Sequence, residues 1–291
     1  MKKPIAVLLF VLFVLNLKAQ EERRFFFWEM TDTKSKNVTY LLGSIHLGNS
    51  KLFPLPEKIE EAFERSDVLV LELDLNSIDP FQLAHRAMYL DGRTLKDELS
   101  AKTYRMLINK LEENGITEDI ANFFKPWFAA MIASIFYYEG EGLTAEYGIE
   151  TYFLRKANEK GKTLSELESI DEQVNVFDTM PDSLNDMVVE YILSGVASGI
   201  EFDTEKLIDS FISGNEKELS SYLFKDENLS EIDLLFQNRL LFDRNIKMAE
   251  KIEECHKSNK IHFVIAGAAH FLGSNGIIDI LNKKGYKIKR L

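Results

Sequence analysis

Two histidines follow apolar runs at opposite ends of the sequence and share one local pattern. His46 closes the run in YLLGSIHLG, and His270 closes the run in FVIAGAAHFLG. A glycine stands three residues before each histidine, Gly43 in the first run and Gly267 in the second. Glycine inside a strand often marks the close approach of a ligand or of another backbone segment. Because imidazole serves both as a metal ligand and as an acid–base group, the repeated pattern predicts two parts of one functional site.

Glu72 is the third candidate because it is a single carboxylate in an apolar run. It lies in VLVLELDL, whose residue types are those of a buried strand. An unpaired buried charge is very costly, so we expect a metal ion, an arginine or a proton beside it. Two histidines and one acid are the ligands of an open catalytic zinc site. Mn²⁺ and Co²⁺ accept the same mixture of nitrogen and oxygen ligands.

Two interpretations of these three residues remain open from the sequence. In the first, His46 and His270 hold a divalent metal ion that polarises a carbonyl group and lowers the pKa of a water molecule. Glu72 then either completes the set of ligands or acts as the general base on that water. In the second, each histidine is a hydrogen-bonded residue at the end of a strand and no metal is bound.

Arg244 is the next unusual residue because it lies in the apolar stripe of a predicted helix. Residues 230–257 have helical apolar spacing, and Leu241 and Met248 flank Arg244 at the i−3 and i+4 positions. A guanidinium group in such a stripe needs a carboxylate partner or an anionic ligand. Glu72 or a bound substrate would satisfy it, and Arg244 would then orient the substrate or stabilise an oxyanion. The alternative is that its side chain extends to solvent at the rim.

Other polar residues receive secondary assignments. Glu168 ends a predicted strand and is expected to face the same rim as Glu72, whereas Glu172 is expected in the first turn of the next helix. A single cysteine cannot form an intrachain disulfide. Structural roles are predicted for the remaining histidines and for this cysteine, which are His85, His256, His262 and Cys255.

Short apolar runs bounded by turn residues predict six strands. They are residues 25–30, 38–46, 68–75, 163–167, 263–269 and 286–291. A helix is predicted over residues 55–65, between the second and third strands, and another over 276–284, between the last two. Strand, helix and strand joined by short links are typical of a parallel sheet.

The middle of the chain, about residues 80–257, has the apolar spacing of helices, one of them predicted over residues 171–196, and contains no Pro/Gly-rich linker. We therefore predict one α/β domain over residues 20–291. Its central, mostly parallel sheet is formed from the N- and C-terminal segments, and the large helical insertion packs against it. Ligands of such sheets bind beyond the carboxyl ends of the strands, so His46 and His270 are expected to lie close together.

Residues 1–19 have the layout of a secretory signal peptide, with two lysines, an apolar run from Ile5 to Leu15, and Ala19. The run is shorter than the roughly 20 apolar residues of a membrane-spanning helix. We expect a periplasmic or secreted protein with no stable membrane insertion after cleavage; an uncleaved N-terminal anchor is the alternative. The net charge of −12 opposes binding to nucleic acid, so no such partner is expected.

The two Gly-x-x-His motifs resemble the paired motifs of the TraB/GumN family, which includes the Tiki-type metalloproteases. The similarity extends over most of residues 25–291. Further similar stretches are Lys125-Pro126-Trp127, Tyr147-Gly148-Ile149-Glu150, Leu167-Glu168 followed by Glu172-Gln173, Arg244-Asn245 with Met248, and Gly285-Tyr286. At Glu150 this chain departs from the family, which often has an aspartate there.

The resemblance implies an α/β fold related to the erythromycin esterases and haem-binding lipoproteins. It also implies a metal-dependent hydrolase that uses Mn²⁺ or Co²⁺ and, in the Tiki branch, cleaves peptide bonds. The site residues implied by position are His46, Glu72 and His270 for the metal, Gly43 and Gly267 for the shape of the site, and Arg244 in support.

These observations together predict an exported metal-dependent hydrolase, a peptidase that acts on peptides or proteins with Mn, Co or Zn. One alternative is a non-catalytic periplasmic protein that binds a ligand such as haem through a histidine. A further alternative is that the substrate is an ester. The sequence leaves the oligomeric state open.

Overall fold

The structure is a computed structural model. It describes residues 23–33, 35–193, 203–223 and 231–291, so the predicted signal peptide lies outside the described residues. Within these four ranges, no helix has both the length and the apolar character that crossing a membrane requires.

A six-stranded sheet forms the centre of the fold. The strands are β1 (Phe27–Thr31), β2 (Val38–Ser44), β3 (Val68–Leu71), β4 (Thr163–Glu166), β5 (His262–Gly267) and β6 (Lys287–Arg290). Their order across the sheet is β4-β3-β5-β2-β1-β6. Strands β4, β3, β5 and β2 pair in parallel, and β1 is antiparallel to both β2 and β6. The prediction of a mostly parallel sheet formed from both ends of the chain is confirmed.

Strand β5, from the C-terminal part of the chain, lies between the two N-terminal strands β2 and β3. Ser44 of β2 is in register with Gly267 of β5, and Leu71 of β3 is in register with Ile265. All four residues of β3 are buried, as expected for a parallel strand covered on both faces. The register places the carboxyl ends of β2, β3 and β5 side by side, so the residues that follow them share one edge of the sheet.

Helices surround the sheet and fill the middle of the chain. They are α1 (Glu57–Arg65), α2 (Pro80–Ala87), α3 (Ala101–Glu112), α4 (Glu118–Ala121), α5 (Pro126–Gly140), α6 (Ile149–Lys160), α7 (Ile170–Asp178), α8 (Asn185–Ile192), α9 (Thr204–Ser213), α10 (Glu216–Leu223), α11 (Glu231–Gln237), α12 (Asp243–Lys257), α13 (Ala268–Phe271) and α14 (Ile277–Lys283). Helices α1 and α6 pack on the sheet through Phe63 and Phe153, whose rings both contact Phe263 of β5. Met248 and Ile252 of α12 belong to the same buried core.

In the helical middle, Asp178 joins three helices by accepting several hydrogen bonds. Lys125 Nζ donates at 3.0 and 3.1 Å, Trp127 Nε1 at 3.0 Å and Arg86 Nε at 3.2 Å. Lys125 and Trp127 stand at the start of α5, Arg86 is in α2, and Asp178 ends α7. The Lys-Pro-Trp stretch therefore has a structural role in holding these helices together.

Three elements differ from their predicted bounds for local reasons. Strand β5 ends at Gly267, and His270 lies in the single turn of α13 rather than directly at a strand end. The helix predicted over residues 230–257 is interrupted by a π-helical turn at Asn238–Phe242. The helix predicted over 171–196 divides at Pro181, because proline lacks the N–H group that a continuous helix needs; residues 194–196 lie outside the described residues.

Candidate active site

Three predicted site residues meet at the carboxyl edge of the sheet. His46 comes two residues after β2, Glu72 directly follows β3, and His270 lies in α13, which follows β5. A Cβ atom placed on Gly267 would be 3.6 Å from His270 Cδ2 and 3.7 Å from both Glu72 Oε2 and His46 Nε2. The two imidazoles and the carboxylate therefore surround the small space that this glycine leaves open.

Glu72 is only 8% exposed, and its carboxylate is held by three donors. Its Oε1 accepts hydrogen bonds from Arg244 Nη2 and from Gln173 Nε2 (3.1 Å), and its Oε2 accepts from the Gly267 backbone N–H at 3.1 Å. Burial alone would raise the pKa of Glu72, but the charges of His270, Arg244 and His46 and the Gly267 N–H lower it to about 2. Glu72 is therefore ionised at neutral pH.

Arg244 connects Glu72 to a second buried carboxylate. Its Nε lies 3.0 Å from both oxygens of Glu168, its Nη2 donates to Glu168 Oε2 at 2.6 Å, and its Nη1 donates to the Leu240 carbonyl at 2.9 Å. Glu168 lies beside Glu72 because its backbone N–H donates to the Glu72 carbonyl at 3.0 Å. Glu72, the predicted carboxylate partner of Arg244, is thus in place. Glu168 is a second partner, which the sequence did not assign to Arg244.

His270 is fully buried and held by an amide. Its Nδ1 lies 2.6 Å from Asn245 Oδ1, and the Asn245 Nδ2 group donates to the Asn275 carbonyl at 2.9 Å. Its Nε2 faces Glu72 Oε1 at 3.7 Å. Burial lowers the pKa of His270 to about 4, against the opposing effect of Glu72, so the ring is neutral at pH 7.

His46, in contrast, is exposed and held by a carboxylate. Its Nδ1 lies 2.9 Å from Glu150 Oε1, and 67% of its side chain is open to solvent. Glu150 Oε1 also accepts a hydrogen bond from Ser44 Oγ. The charge of Glu150 raises the pKa of His46, although the exposure of the His46 ring to water screens this pair. Because Nδ1 is engaged by Glu150, Nε2 is the nitrogen that faces Gly267.

Two further glycines allow the backbone segments of the site to approach closely. A Cβ on Gly43 would come within 2.9 Å of Phe26 Cβ and 3.2 Å of Ala268 Cα, so Gly43 shapes the site through packing beneath α13. A Cβ on Gly148 would lie 2.4 Å from the His46 carbonyl oxygen. Gly148 precedes α6, and this contact brings Glu150 in its first turn to His46.

The other residues considered in the sequence take no part in the contacts of the site described above. His85 is exposed on α2, His256 Nδ1 lies 3.0 Å from Thr39 Oγ1, and His262 Nδ1 lies 3.1 Å from the Lys260 carbonyl. Glu172 forms a capping box with Ser169 at the start of α7. Cys255 is a partly buried free thiol, and burial raises its pKa, which lowers its reactivity at neutral pH.

The nitrogen and oxygen atoms of this site can be compared with the ligands that a divalent metal ion requires. Among the residues that the structure describes, no three His, Cys, Asp or Glu side chains are grouped as they would be around a bound ion. The chemistry of the donors nevertheless fits one: each imidazole has its Nδ1 engaged by an acceptor and its Nε2 turned inward, the arrangement found in metal-ligating histidines. Glu150 adds a second carboxylate beside His46, and its Oε2 is buried and accepts no hydrogen bond from the described residues.

The sequence profile of the TraB/PrgY/gumN family matches residues 26–290. The chain belongs to the TraB/PrgY/gumN family. This match confirms, at the level of the family, the resemblance seen in the two Gly-x-x-His motifs. It covers the whole sheet and all the site residues described above.

Relatives that match most of this chain, but only part of their own length, carry the name of a metalloprotease. Metalloprotease TIKI2 of Xenopus tropicalis is 25% identical, over 94% of this chain and 61% of its own length. The Metalloprotease TIKI homolog of Nematostella vectensis is 25% identical, over 86% of this chain and 64% of its own length. The Uncharacterized protein YbaP of Escherichia coli is 29% identical, over 49% of this chain and 53% of its own length. This chain thus spans about three-fifths of the length of these metalloproteases.

Three residues around the TraB/PrgY/gumN site were assigned little or no role from the sequence. Glu150 reads as an ordinary acid in the first turn of a helix, and Gln173 as an ordinary polar residue of α7. Asn245 gave the clearest signal, since asparagine competes for backbone hydrogen bonds inside a helix and is unfavourable there. A buried asparagine, 1% exposed, next to an arginine that is paired with two carboxylates indicates a specific hydrogen-bonding role.

We expect the substitution Arg244→Met to lower the free energy of unfolding by about 3–5 kcal/mol, because it leaves Glu72 and Glu168 buried without their cation. Urea unfolding monitored by circular dichroism measures this. The pKa of Glu72 is lowered from 4.5 to about 2, so the stability that the pair contributes is present above pH 4.5 and declines as the pH falls toward 2.

The matched control for that substitution is Arg239→Met in the π-helical turn. Arg239 Nη2 donates to the neutral Thr179 hydroxyl at 2.9 Å in an exposed position, so its removal should cost no more than about 0.5 kcal/mol. Equal losses of stability in the two variants would contradict a central role of the Arg244 ion pairs.

Proposed function

We propose that the protein is a metal-dependent hydrolase that cleaves peptide bonds. The observation that carries the proposal is the meeting of His46 Nε2, Glu72 Oε2 and the His270 ring around the space left by Gly267. The names of the TIKI relatives support a metalloprotease rather than another type of hydrolase. The substrate class under this proposal is a peptide or protein.

His46, Glu72 and His270 are the residues that would hold the metal ion. A divalent ion such as Mn²⁺, Co²⁺ or Zn²⁺ would supply Lewis-acid chemistry there, by polarising a carbonyl group and acidifying a water molecule. The chain's own contribution is to bring two imidazole rings and one carboxylate around one small space. The buried His270 fixes the inner side of the site, and the exposed His46 leaves its outer side accessible to substrate.

Glu72 fits the role of a ligand better than that of a general base. A base acting near neutral pH works best with a pKa near the working pH, whereas the pKa of Glu72 is lowered to about 2. Arg244 and Gln173 occupy its Oε1, and Oε2 receives one hydrogen bond from Gly267. A carboxylate oxygen has two lone pairs, so Oε2 retains one for a cation.

Arg244 acts, in this proposal, as the residue that holds Glu72 in place. Its Nε, Nη1 and Nη2 all donate to Glu72, Glu168 or the Leu240 carbonyl. This leaves little of its hydrogen-bonding capacity for an oxyanion or a substrate carboxylate. Its effect on catalysis would therefore pass through the position and charge of Glu72.

The geometry is less favourable to the haem-binding alternative. An axial histidine needs space for iron and a flat porphyrin beyond its free nitrogen, but the Nε2 of His270 faces Glu72 Oε1 at 3.7 Å. A small cation between an imidazole nitrogen and a carboxylate is the simpler occupant. An ester substrate would use the same residues as a peptide, and parallel assays with peptide and ester substrates would separate the two.

We also propose export to the periplasm or the extracellular space, on the basis of the signal-peptide layout of residues 1–19. Mass spectrometry of the protein secreted by its native cell should find an N-terminus shortly after Ala19. A mature protein that retains Met1 and the apolar run would contradict export by cleavage.

The main test of the proposed function is the double substitution His46→Ala/His270→Ala. The wild-type protein, loaded with Mn²⁺, Co²⁺ or Zn²⁺, should retain stoichiometric metal after desalting and hydrolyse peptides. The double variant should lose both properties because two of three ligands are gone. Elemental analysis and a peptide-cleavage assay measure the two effects.

His85→Ala is the matched control because His85 is an exposed histidine on α2 and takes no part in the hydrogen bonds of His46, Glu72 and His270 described above. It should keep the metal content and activity of the wild type. Full activity in the double variant would contradict the proposal, and so would a wild-type protein that retains no divalent metal and hydrolyses no peptide.

Gly267→Ala tests whether the open space is itself required. The new Cβ would meet its neighbours at 3.6–3.7 Å, which is ordinary contact, so the melting temperature should stay near that of the wild type. It would nevertheless fill the point on which the three side chains converge, so metal retention and activity should fall by at least tenfold.

Gly43→Ala is the informative comparison because it alters the glycine of the other motif. Its Cβ would lie 2.9 Å from Phe26 Cβ, and such overpacking costs about 1–3 kcal/mol of stability. If the Gly267→Ala variant keeps full metal binding, the metal ion does not occupy the space beside Gly267.

A further inference from the structure

The hydrogen bonds around Asn245 determine which way its side-chain amide points. The amide lies between the Asn275 carbonyl, 2.9 Å from Nδ2, and the Nδ1 of His270, 2.6 Å from Oδ1. A backbone carbonyl only accepts hydrogen bonds, so the amide must turn its NH₂ group to Asn275. Its oxygen is then fixed toward His270.

The orientation of the Asn245 amide determines the position of the proton on His270. An amide oxygen only accepts, so the hydrogen between it and the ring must be carried by His270 Nδ1. A neutral imidazole carries a single N–H, and Nε2 therefore presents a lone pair. That lone pair faces the site, because Nε2 lies 3.7 Å from Glu72 Oε1.

We propose that Asn245 is a positioning residue that holds His270 in its Nδ1–H tautomer and turns its Nε2 lone pair toward Glu72. This inference rests on the proposed function, since the lone pair is of use there as a ligand to a cation. Both side chains are almost fully buried, at 1% and 4% exposure, so water does not compete for these hydrogen bonds. The tautomer is thus set by the protein and not by the intrinsic preference of imidazole.

The position of Asn245 in the fold supports this role. It follows Arg244 in the first turn of α12, directly after the π-helical turn. The two neighbours act on different members of the site, Arg244 on Glu72 and Asn245 on His270. One turn of helix therefore positions two of the three converging side chains, while the partner of the third, Glu150, comes from α6.

The first experiment measures the tautomer directly in metal-free, ¹⁵N-labelled wild-type protein at pH 7–8. Long-range ¹H–¹⁵N spectra distinguish Nδ1–H from Nε2–H imidazole, and the chain has only five histidines to assign. We expect His270 as the Nδ1–H tautomer. Finding it as Nε2–H would overturn the proposal, and this measurement needs neither a variant nor a bound metal.

The second experiment compares Asn245→Leu with Asn245→Asp. Both substitutions remove the donor to the Asn275 carbonyl, but only aspartate keeps an acceptor for His270 Nδ1. In the leucine variant we expect the Nε2–H form, which unrestrained imidazole prefers, and a loss of Co²⁺ affinity of about 10–100-fold, the usual effect of removing such a partner. In the aspartate variant, Nδ1 should keep its proton and most of the affinity should remain.

Titration calorimetry with Co²⁺ alone measures the affinities, and amide spectra show whether each variant is folded. Equal losses of affinity in the two variants would overturn the proposal, since the Asn275 hydrogen bond would then be the cause. An unchanged tautomer in the leucine variant would overturn it as well. If the wild type binds no Co²⁺, the proposed function fails, while the tautomer of the metal-free protein still tests the role of Asn245.

Discussion

The burial of the Glu72 carboxylate is the constraint on which the site depends. A charge at the end of an apolar strand is stable only when donors surround it, and here Arg244, Gln173 and the Gly267 N–H do so. Arg244 is itself mostly buried, with 16% of its side chain exposed, and needs Glu168 for its remaining charge-assisted hydrogen bonds. Glu72, at the end of β3, thus contacts α7, α12 and β5 directly, and Arg244 links it to Glu168, which follows β4. These segments are distant in the sequence.

The two histidines of the site are equivalent in their motifs but not in their surroundings. His270 is buried and held by a neutral amide, and its pKa is lowered, whereas His46 is open to solvent and held by a carboxylate that raises its pKa. A buried neutral imidazole is a fixed lone-pair donor. An exposed one beside a carboxylate exchanges protons with water readily. The inner half of the site is therefore closed to solvent, whereas the outer half is open to it.

The sequence was sufficient to predict the features that local composition determines. The six strands, the pairing of both chain ends in one sheet, and the exceptional character of Glu72 and Arg244 all follow from apolar runs and from charges that interrupt them. The partners Asn245, Gln173 and Glu150 were not predictable in the same way, because each is an ordinary helical residue until tertiary packing brings it to an imidazole or a carboxylate. The π-helical turn was missed for the same reason, since its apolar spacing is that of a continuous helix.

The two motifs act together, because Gly43 packs against the turn that carries His270 and Gly267 lies beside both histidines. Gly43 of the first motif leaves room for Ala268, which begins the turn that carries His270. A Cβ added to Gly267 of the second motif would lie 3.6 Å from His270 Cδ2 and 3.7 Å from His46 Nε2. The first glycine is thus required for packing and the second for open space. A single Gly-x-x-His motif could supply neither the packing under the second histidine nor the open space between the two. Two such motifs, more than 200 residues apart, therefore predict a site that one motif alone does not.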